Sequence, residues 1–267
     1  LIISQLTLKL AQGSGGRSMK SAIVYDEKIA VINAEIANAA DPSPDHWLKK
    51  SQALVEQRMI REAIEALSRG ISIDPFCGIL YRWRAHRYLN VGEIAEACAD
   101  FTVAQRLIPE NWSVHYHLAL THILLGEYNL AYQAYRHCWQ LPTTAARQAA
   151  LSNWTWICCK FLGREEEAEK ALSYVTPELD ANGNVGYKNL CLLYKGILTP
   201  EQVLVQKEPH DQDEATSAMT QGFGLAMYYK IMKDEEQYQK TLDYVLACGK
   251  EHGWTCFGYS GARFAKG

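Results

Sequence analysis

Residues 81–109, YRWRAHRYLNVGEIAEACADFTVAQRLIP, decide the fold, because their spacing of small and aromatic residues recurs along the chain. Ala97 has counterparts at equal distances on either side, at Ala63 and at Ala131. Other positions keep the same spacing, namely Leu67, Phe101 and Tyr135; Gly70, Ala104 and Cys138; Trp47, Tyr81 and His115; and Pro75 with Pro109. A fixed period of about 34 residues indicates a repeat architecture.

The residue types at these positions suit pairs of packed helices. Small side chains such as Ala97 allow two helix backbones to approach closely, whereas large side chains such as Phe101 fill the space between pairs. Pro109 marks the end of the unit, because proline cannot continue a helix. The pattern therefore predicts helix–turn–helix units stacked in series and an all-α fold.

This pattern resembles the tetratricopeptide repeat (TPR), a helix–turn–helix unit with the same period. The second unit matches the family best, through Tyr81, Ala85, Tyr88, Ala97, Phe101, Ala104 and Pro109. The stretch Tyr81–Leu89 and the FGY at 257–259 also resemble bacterial TPR proteins of unassigned function. The resemblance implies a right-handed α-solenoid and adds no activity.

Four segments follow from these patterns. Residues 1–18 contain a Gly/Ser-rich stretch and are interpreted as a flexible extension, either artificial or from an upstream reading frame, with a truncated secretion signal as the alternative. Residues 19–43 are predicted to form an N-terminal capping helix. Residues 44–176 hold TPR-like repeats, and residues 184–267 hold degenerate repeats and a C-terminal capping helix. In the fourth repeat Trp156 replaces an expected small residue, so that helix pair should splay or shift.

Composition and motifs limit the classes of function that the chain is expected to have. The 267 residues are 48% hydrophobic and 21% charged, which is enough apolar material for a packed core. A net charge of −3 argues against wholesale nucleic-acid binding, and no apolar run reaches the ~18 residues that span a membrane. The eight cysteines form no CxxC motif and favour reduced thiols in the cytoplasm. Nucleophile, phosphate-loop and zinc-protease motifs are absent, so we expect a binding scaffold without a cofactor rather than an enzyme.

The candidate ligand site follows from the resemblance. In TPR proteins the first helix of each pair lines a concave groove, and its groove positions in this chain include Leu48, Gln52, Ser113 and several larger polar residues. The candidate groove residues are Arg82, His86, Asn90, Tyr116, Asn153, Lys160 and Lys188. This mixture suits a protein or peptide ligand that carries carboxylates, held by charge-assisted hydrogen bonds. The alternative is a groove that merely faces solvent.

Two more specific kinds of site, a carboxylate clamp and a metal site, match the sequence poorly. The carboxylate clamp of some TPR domains requires lysine, asparagine and arginine where this chain has Leu48, Gln52, Trp83, Ser113 and His117. The histidines His115, His117 and His122 are close in sequence, but residues two apart on a helix point in roughly opposite directions. We therefore expect neither a clamp nor a metal site.

Two alternatives stay open. A closed solenoid could instead form a small-molecule-binding or catalytic pocket around Arg82, His86, Tyr116 and Asn153. The aromatic C-terminal residues, Trp254, Phe257, Tyr259 and Phe264, could fold into the groove or form a dimer contact.

Overall fold

A computed structural model describes residues 27–252 and 256–266. These residues form helices, turns and loops, with no strand among them. Within the described ranges the helices are α1 (Glu27–Asn38), α2 (Pro44–Glu56), α3 (Ile60–Ile73), α4 (Gly78–Val91), α5 (Ile94–Leu107), α6 (Trp112–Leu124), α7 (Tyr128–Cys138), α8 (Ala145–Leu162), α9 (Glu165–Ser173), α10 (Val185–Tyr194), α11 (Pro200–Val203), α12 (Gln212–Ile231), α13 (Glu235–His252) and α14 (Phe257–Lys266). The predicted extension at residues 1–18, the start of the predicted capping helix and Trp254 lie outside the described residues.

The helices stack as consecutive pairs. Helix α2 packs on α3, α4 on α5, α6 on α7, and α8 on α9, and the second helix of each of the first three pairs also contacts the first helix of the next pair. Helix α12 forms a further pair with α13, and α10 bridges α8 and α12. The predicted all-α solenoid of helix–turn–helix repeats is confirmed.

The repeated positions form the core. Ala63, Ala97 and Ala131 are fully buried where the helices of each pair cross, and so are the large side chains of Phe101 and Tyr135. Burial of each large side chain contributes about 1.5–3 kcal/mol of hydrophobic free energy. The period in the sequence is therefore the period of the hydrophobic core.

The turn inside each pair uses one left-handed backbone position. Gly92, Gly126 and Gly163 occupy it with φ of 80°, 75° and 67°. Arg58 stands at the equivalent position of the first repeat and adopts φ of 59°, although it has a Cβ atom. Repeat one therefore keeps the turn geometry of its neighbours without their glycine.

The bulky Trp156 of α8 is accommodated between helices. Its ring stacks on Tyr194 of α10 with 3.8 Å between centroids and lies 6.4 Å from the Tyr228 ring of α12. Trp156 therefore joins α8 to the C-terminal repeats through aromatic contacts. A small residue at this position would contact only the other helix of its own pair.

The last helix lies against the inner face, which we define as the side formed by the first helices of the pairs. Helix α14 packs on α12 and α13 and also contacts α4 and α6. Phe257 meets Trp154 of α8 edge to face at 5.5 Å, and Gly258 packs directly on the backbone of Met219 in α12. Within this chain, Phe257 and Tyr259 therefore lie on a helix that packs against the first helices of the pairs, as in the first of the two placements predicted from the sequence.

Candidate functional site

Helices α4 and α6 together carry a cluster of basic side chains next to Trp83 on the inner side of the solenoid. We call Arg82, His86, Arg87 and His117 the inner cationic cluster. The guanidinium carbons of Arg82 and Arg87 lie 4.3 Å and 5.5 Å from the centroid of the Trp83 ring. Arg82 also donates a hydrogen bond from Nη2 to Ser113 Oγ of α6 at 3.0 Å. Cation–π contact thus stabilises two neighbouring guanidinium groups on one ring.

The two arginines differ from the arginine between them. Arg84 donates from Nε and Nη2 to the two carboxylate oxygens of Asp100, at 2.6 Å and 2.8 Å, on the side of α4 that faces α5. Arg82 and Arg87 form no ion pair within the described part of the chain, and the Nε atom of each is buried without a hydrogen-bond acceptor there. Arg87 is only 9% exposed. A buried cation without a counter-charge is unfavourable by several kcal/mol, so this arrangement calls for an explanation.

Burial and mutual repulsion govern the charges in the cluster. Burial, followed by the charge of Arg82, lowers the pKa of Arg87 to about 10, which leaves it charged at pH 7. Burial lowers the pKa of His117 to about 4, although the Ser113 carbonyl acts in the opposite direction. Burial also lowers the pKa of His86 well below its usual range. The cluster at neutral pH therefore combines two positive guanidiniums with two neutral imidazoles.

The two imidazoles contact each other across α4 and α6. Their ring centroids are 4.0 Å apart, and His86 also meets the Phe101 ring edge to face at 5.5 Å. His117 Nδ1 lies 2.6 Å from the Ser113 carbonyl oxygen. These contacts fix the orientation of both rings and place them beside Arg82.

Asn90 lies at the C-terminal end of α4, away from the tryptophan. It lines a cleft of about 530 Å³ together with Arg58, Gly249, Tyr259 and Arg263. This cleft separates the turn of repeat one from helices α13 and α14. Asn90 therefore belongs to the same inner face as the cationic cluster but to a separate depression in it.

Tyr116 and Asn153 lie in the hydrophobic core. The Tyr116 ring stacks on Trp112 at 4.7 Å, and burial raises the pKa of its hydroxyl well above 10. Asn153 is fully buried, and its Oδ1 accepts a hydrogen bond from the Tyr194 hydroxyl at 2.8 Å. The structure therefore brings Arg82 and His86 together and places the other two members of the alternative pocket among core side chains.

Lys160 and Lys188 have local partners. Lys160 pairs with Glu165 at 2.6 Å, across the turn that joins α8 to α9. Lys188 donates to the carbonyl oxygens of Pro177 and Leu179 at 3.1 Å and 3.2 Å, which holds the loop before α10. Both lysines therefore stabilise connections between helices.

Three members or neighbours of the cluster, Arg87, Trp83 and His117, are not among the groove residues predicted from the sequence. Arg87 falls outside the groove positions of the repeat, and Trp83 and His117 were considered only against the clamp and metal patterns. The signal that could have found them is the charge pattern of α4, in which three arginines occur between residues 81 and 91 with no acidic residue.

Among the described residues, the structure shows neither a cluster of metal ligands nor a helix suited to cross a membrane. No group of three histidine, cysteine, aspartate or glutamate side chains in that part of the chain is placed to hold a metal ion. His115 Nε2 lies 2.6 Å from the Pro109 carbonyl oxygen, and His122 Nδ1 lies 2.7 Å from Glu127 Oε2. None of the helices between residues 27 and 266 that the structure describes combines the length and apolarity of a membrane span.

Comparison with known proteins agrees with the repeat architecture. Residues 113–141 match the tetratricopeptide repeat family, and the predicted resemblance of the chain to TPR proteins is confirmed. No curated protein matches the chain. A tetratricopeptide repeat protein from Parabacteroides merdae superposes with a TM-score of 0.57 at 14% identity, over 88% of this chain and 91% of that chain.

Two further structures are similar over smaller shares of their chains. A chain of the APC/C hetero-tetramer Cut9-Hcn1 gives a TM-score of 0.51 at 17% identity, over 88% of this chain and 46% of that chain. MamA gives a TM-score of 0.49 at 17% identity, over 55% of this chain and 83% of that chain. At these identities the similarity concerns the fold.

Proposed function

We propose that this chain is a protein-interaction scaffold whose inner face binds an acidic segment of a partner protein. The observation that carries the proposal is the pair of charged guanidiniums of Arg82, which is half-buried, and Arg87, which is buried; neither has a carboxylate partner among the described residues. A carboxylate from a partner would supply the missing counter-charge, as Asp100 does for Arg84. The ligand residues in this proposal are those of the inner cationic cluster, with Asn90 in the separate depression of the same inner face as a further contact.

Non-enzymatic function is part of the same proposal. The rings nearest His86 are those of Trp83, Phe101 and His117, which supply no nucleophile. Its low pKa suits a neutral hydrogen-bonding group rather than a proton store. The alternative of a small-molecule or catalytic pocket receives less support, because Tyr116 and Asn153 lie in the core. A cytoplasmic location remains part of the proposal, consistent with eight cysteines that form no disulfide.

The test is a binding measurement with a charge-matched pair of peptides. Fluorescence anisotropy compares a labelled oligoglutamate peptide with oligoglutamine of the same length, for the wild-type chain and for Arg87→Gln. We expect oligoglutamate alone to bind, and Arg87→Gln to weaken it about ten-fold or more, because a charge-assisted hydrogen bond is lost. Arg106→Gln, which alters an exposed arginine of α5, is the matched control and should leave binding unchanged.

Two results would contradict the proposal. One is the absence of oligoglutamate binding to the wild-type chain. The other is equal binding by the wild-type chain and Arg87→Gln while circular dichroism shows the same helical content in both.

A further inference from the structure

A second depression lies on the side of the solenoid formed by the second helices of the pairs. It has a volume of about 480 Å³ and is bounded by α7 and α9, with Thr155 contributed by α8. We call it the outer cleft and define it by Arg136, Trp139, Thr155, Arg164, Lys170 and Tyr174. Its size falls within the range of small-molecule sites in proteins, about 300–1,000 Å³.

One wall of the outer cleft is aromatic. The rings of Trp139 and Tyr174 stack with 4.6 Å between centroids and 30° between planes. Trp139 Nε1 donates to Thr155 Oγ1 at 3.4 Å, which orients the indole from the α8 side. Tyr174 is 43% exposed, so part of its ring is open to a ligand. The wall is thus an oriented pair of rings with an accessible surface.

The other side of the outer cleft is basic. The guanidinium of Arg164 lies 4.7 Å from the centroid of the Tyr132 ring, while Arg136 and Lys170 are exposed. None of these three cations pairs with a carboxylate among the residues that the structure describes. The lining contains one carboxylate, that of Glu167, against the three cations, which leaves a net charge of +2.

We propose that the outer cleft binds a free mononucleotide, with the base stacked on Tyr174 and the phosphate between Arg136 and Lys170. Every base has a flat face that stacks on an aromatic ring, and arginine matches the oxygen geometry of phosphate. A phosphate monoester carries about two negative charges at pH 7, which balances the net charge of the lining. This inference is independent of the acidic-peptide proposal, because it uses other helices and the opposite side of the repeats.

The outer cleft also gives a role to Trp139, a residue for which the repeat pattern has no position. Trp139 is the C-cap of α7 and lies beyond the last repeated core position of its unit, Cys138. The Trp139 ring is partly exposed rather than fully buried. Its stacking on the exposed Tyr174 of the next repeat instead extends an aromatic surface into solvent.

The experiment is calorimetric titration of the full chain with AMP, GMP, CMP and UMP. Adenosine, which lacks the phosphate, and ribose 5-phosphate, which lacks the base, are titrated in parallel. We expect at least one mononucleotide to bind, and both fragments to bind about ten-fold more weakly or worse. Tyr174→Ala and Arg136→Gln should each weaken binding about ten-fold, while Arg106→Gln should not change it.

Several outcomes would overturn the inference. These are the absence of heat with all four mononucleotides, equal binding by ribose 5-phosphate, and unchanged binding by both cleft variants. Loss of binding in Arg87→Gln but not in Arg136→Gln would assign the anion site to the inner cationic cluster instead. Binding of a phosphotyrosine peptide with no mononucleotide binding would show that the ligand is a protein. Both altered side chains in the cleft are exposed, so a failure to fold is not expected to obscure the result.

Discussion

Replacement of Gly258 by alanine should release the last helix from the inner face. A Cβ atom at residue 258 would lie 2.7 Å from the carbonyl carbon of Met219 and closer still to its oxygen. Ordinary contacts of a Cβ atom are 3.4–4 Å, and the obstructing atoms belong to the backbone of a packed helix. Helix α14 must therefore move away from α12 by more than half an ångström.

Two opposing contributions decide whether Gly258→Ala strengthens or weakens the docking of α14. Alanine is favoured over glycine within a helix by about 1 kcal/mol, which would stabilise α14 if packing were unimportant. Overpacking of a tight contact costs about 1–3 kcal/mol. We expect the second contribution to prevail, so that docking of α14 becomes weaker.

Hydrogen exchange followed by mass spectrometry measures this directly. In Gly258→Ala the amides of α14 should exchange faster, and so should those of α4 and α6 that α14 covers. Ala265→Ser, a small change at an exposed position of the same helix, is the control and should exchange as the wild type does. Unchanged or slower exchange in α14 of Gly258→Ala would refute the close packing on Met219.

Three further predictions concern buried or partly buried ionisable side chains. Asp100→Ala should lower the free energy of unfolding in urea by about 3–5 kcal/mol, because it leaves Arg84 without its bidentate partner, and Arg84→Met in the same chain should recover part of the loss. Burial lowers the pKa of His122, but its contacts with Cys98 and Glu127 raise it above 6.5, so its stabilising contribution is present below pH 6.5 and is lost as the pH rises through the folded pKa. His122→Gln should remove that decrease in unfolding titrations. Burial holds the pKa of His117 at about 4, so the chain should lose stability as the pH falls from 6.5 towards 4, and His117→Gln should flatten the curve there.

The part of the fold that the sequence predicts is the part that repeats. Ala97 and Phe101 recur at fixed spacing because each helix pair packs against an equivalent neighbour. The docking of α14 on α4 and α6 has no such regularity. It depends on how far the whole stack curves, and that curvature accumulates from small differences in packing at every pair.

The regularity of the repeat also predicts part of the candidate site. Arg82 and His86 lie on the inner face because their repeat is regular. Asn153 was aligned across an insertion before α8, where one residue of slip moves a side chain by about 100° around the helix axis. The aromatic contact of Trp156 with Tyr194 then draws this side of α8 into the core and buries Asn153 there. Arg87 escaped prediction because the absence of an acidic partner is a property of the folded chain.

The most direct measurement is the nuclear magnetic resonance spectrum of the arginine Nε–H groups, recorded with and without the oligoglutamate peptide. If the inner cationic cluster binds carboxylates, the Nε resonances of Arg82 and Arg87 should shift on addition of the peptide. Those of Arg84, already bound to Asp100, and of the exposed Arg106 should stay in place. Shifts confined to exposed arginines, with Arg82 and Arg87 unchanged at saturating peptide, would contradict the account.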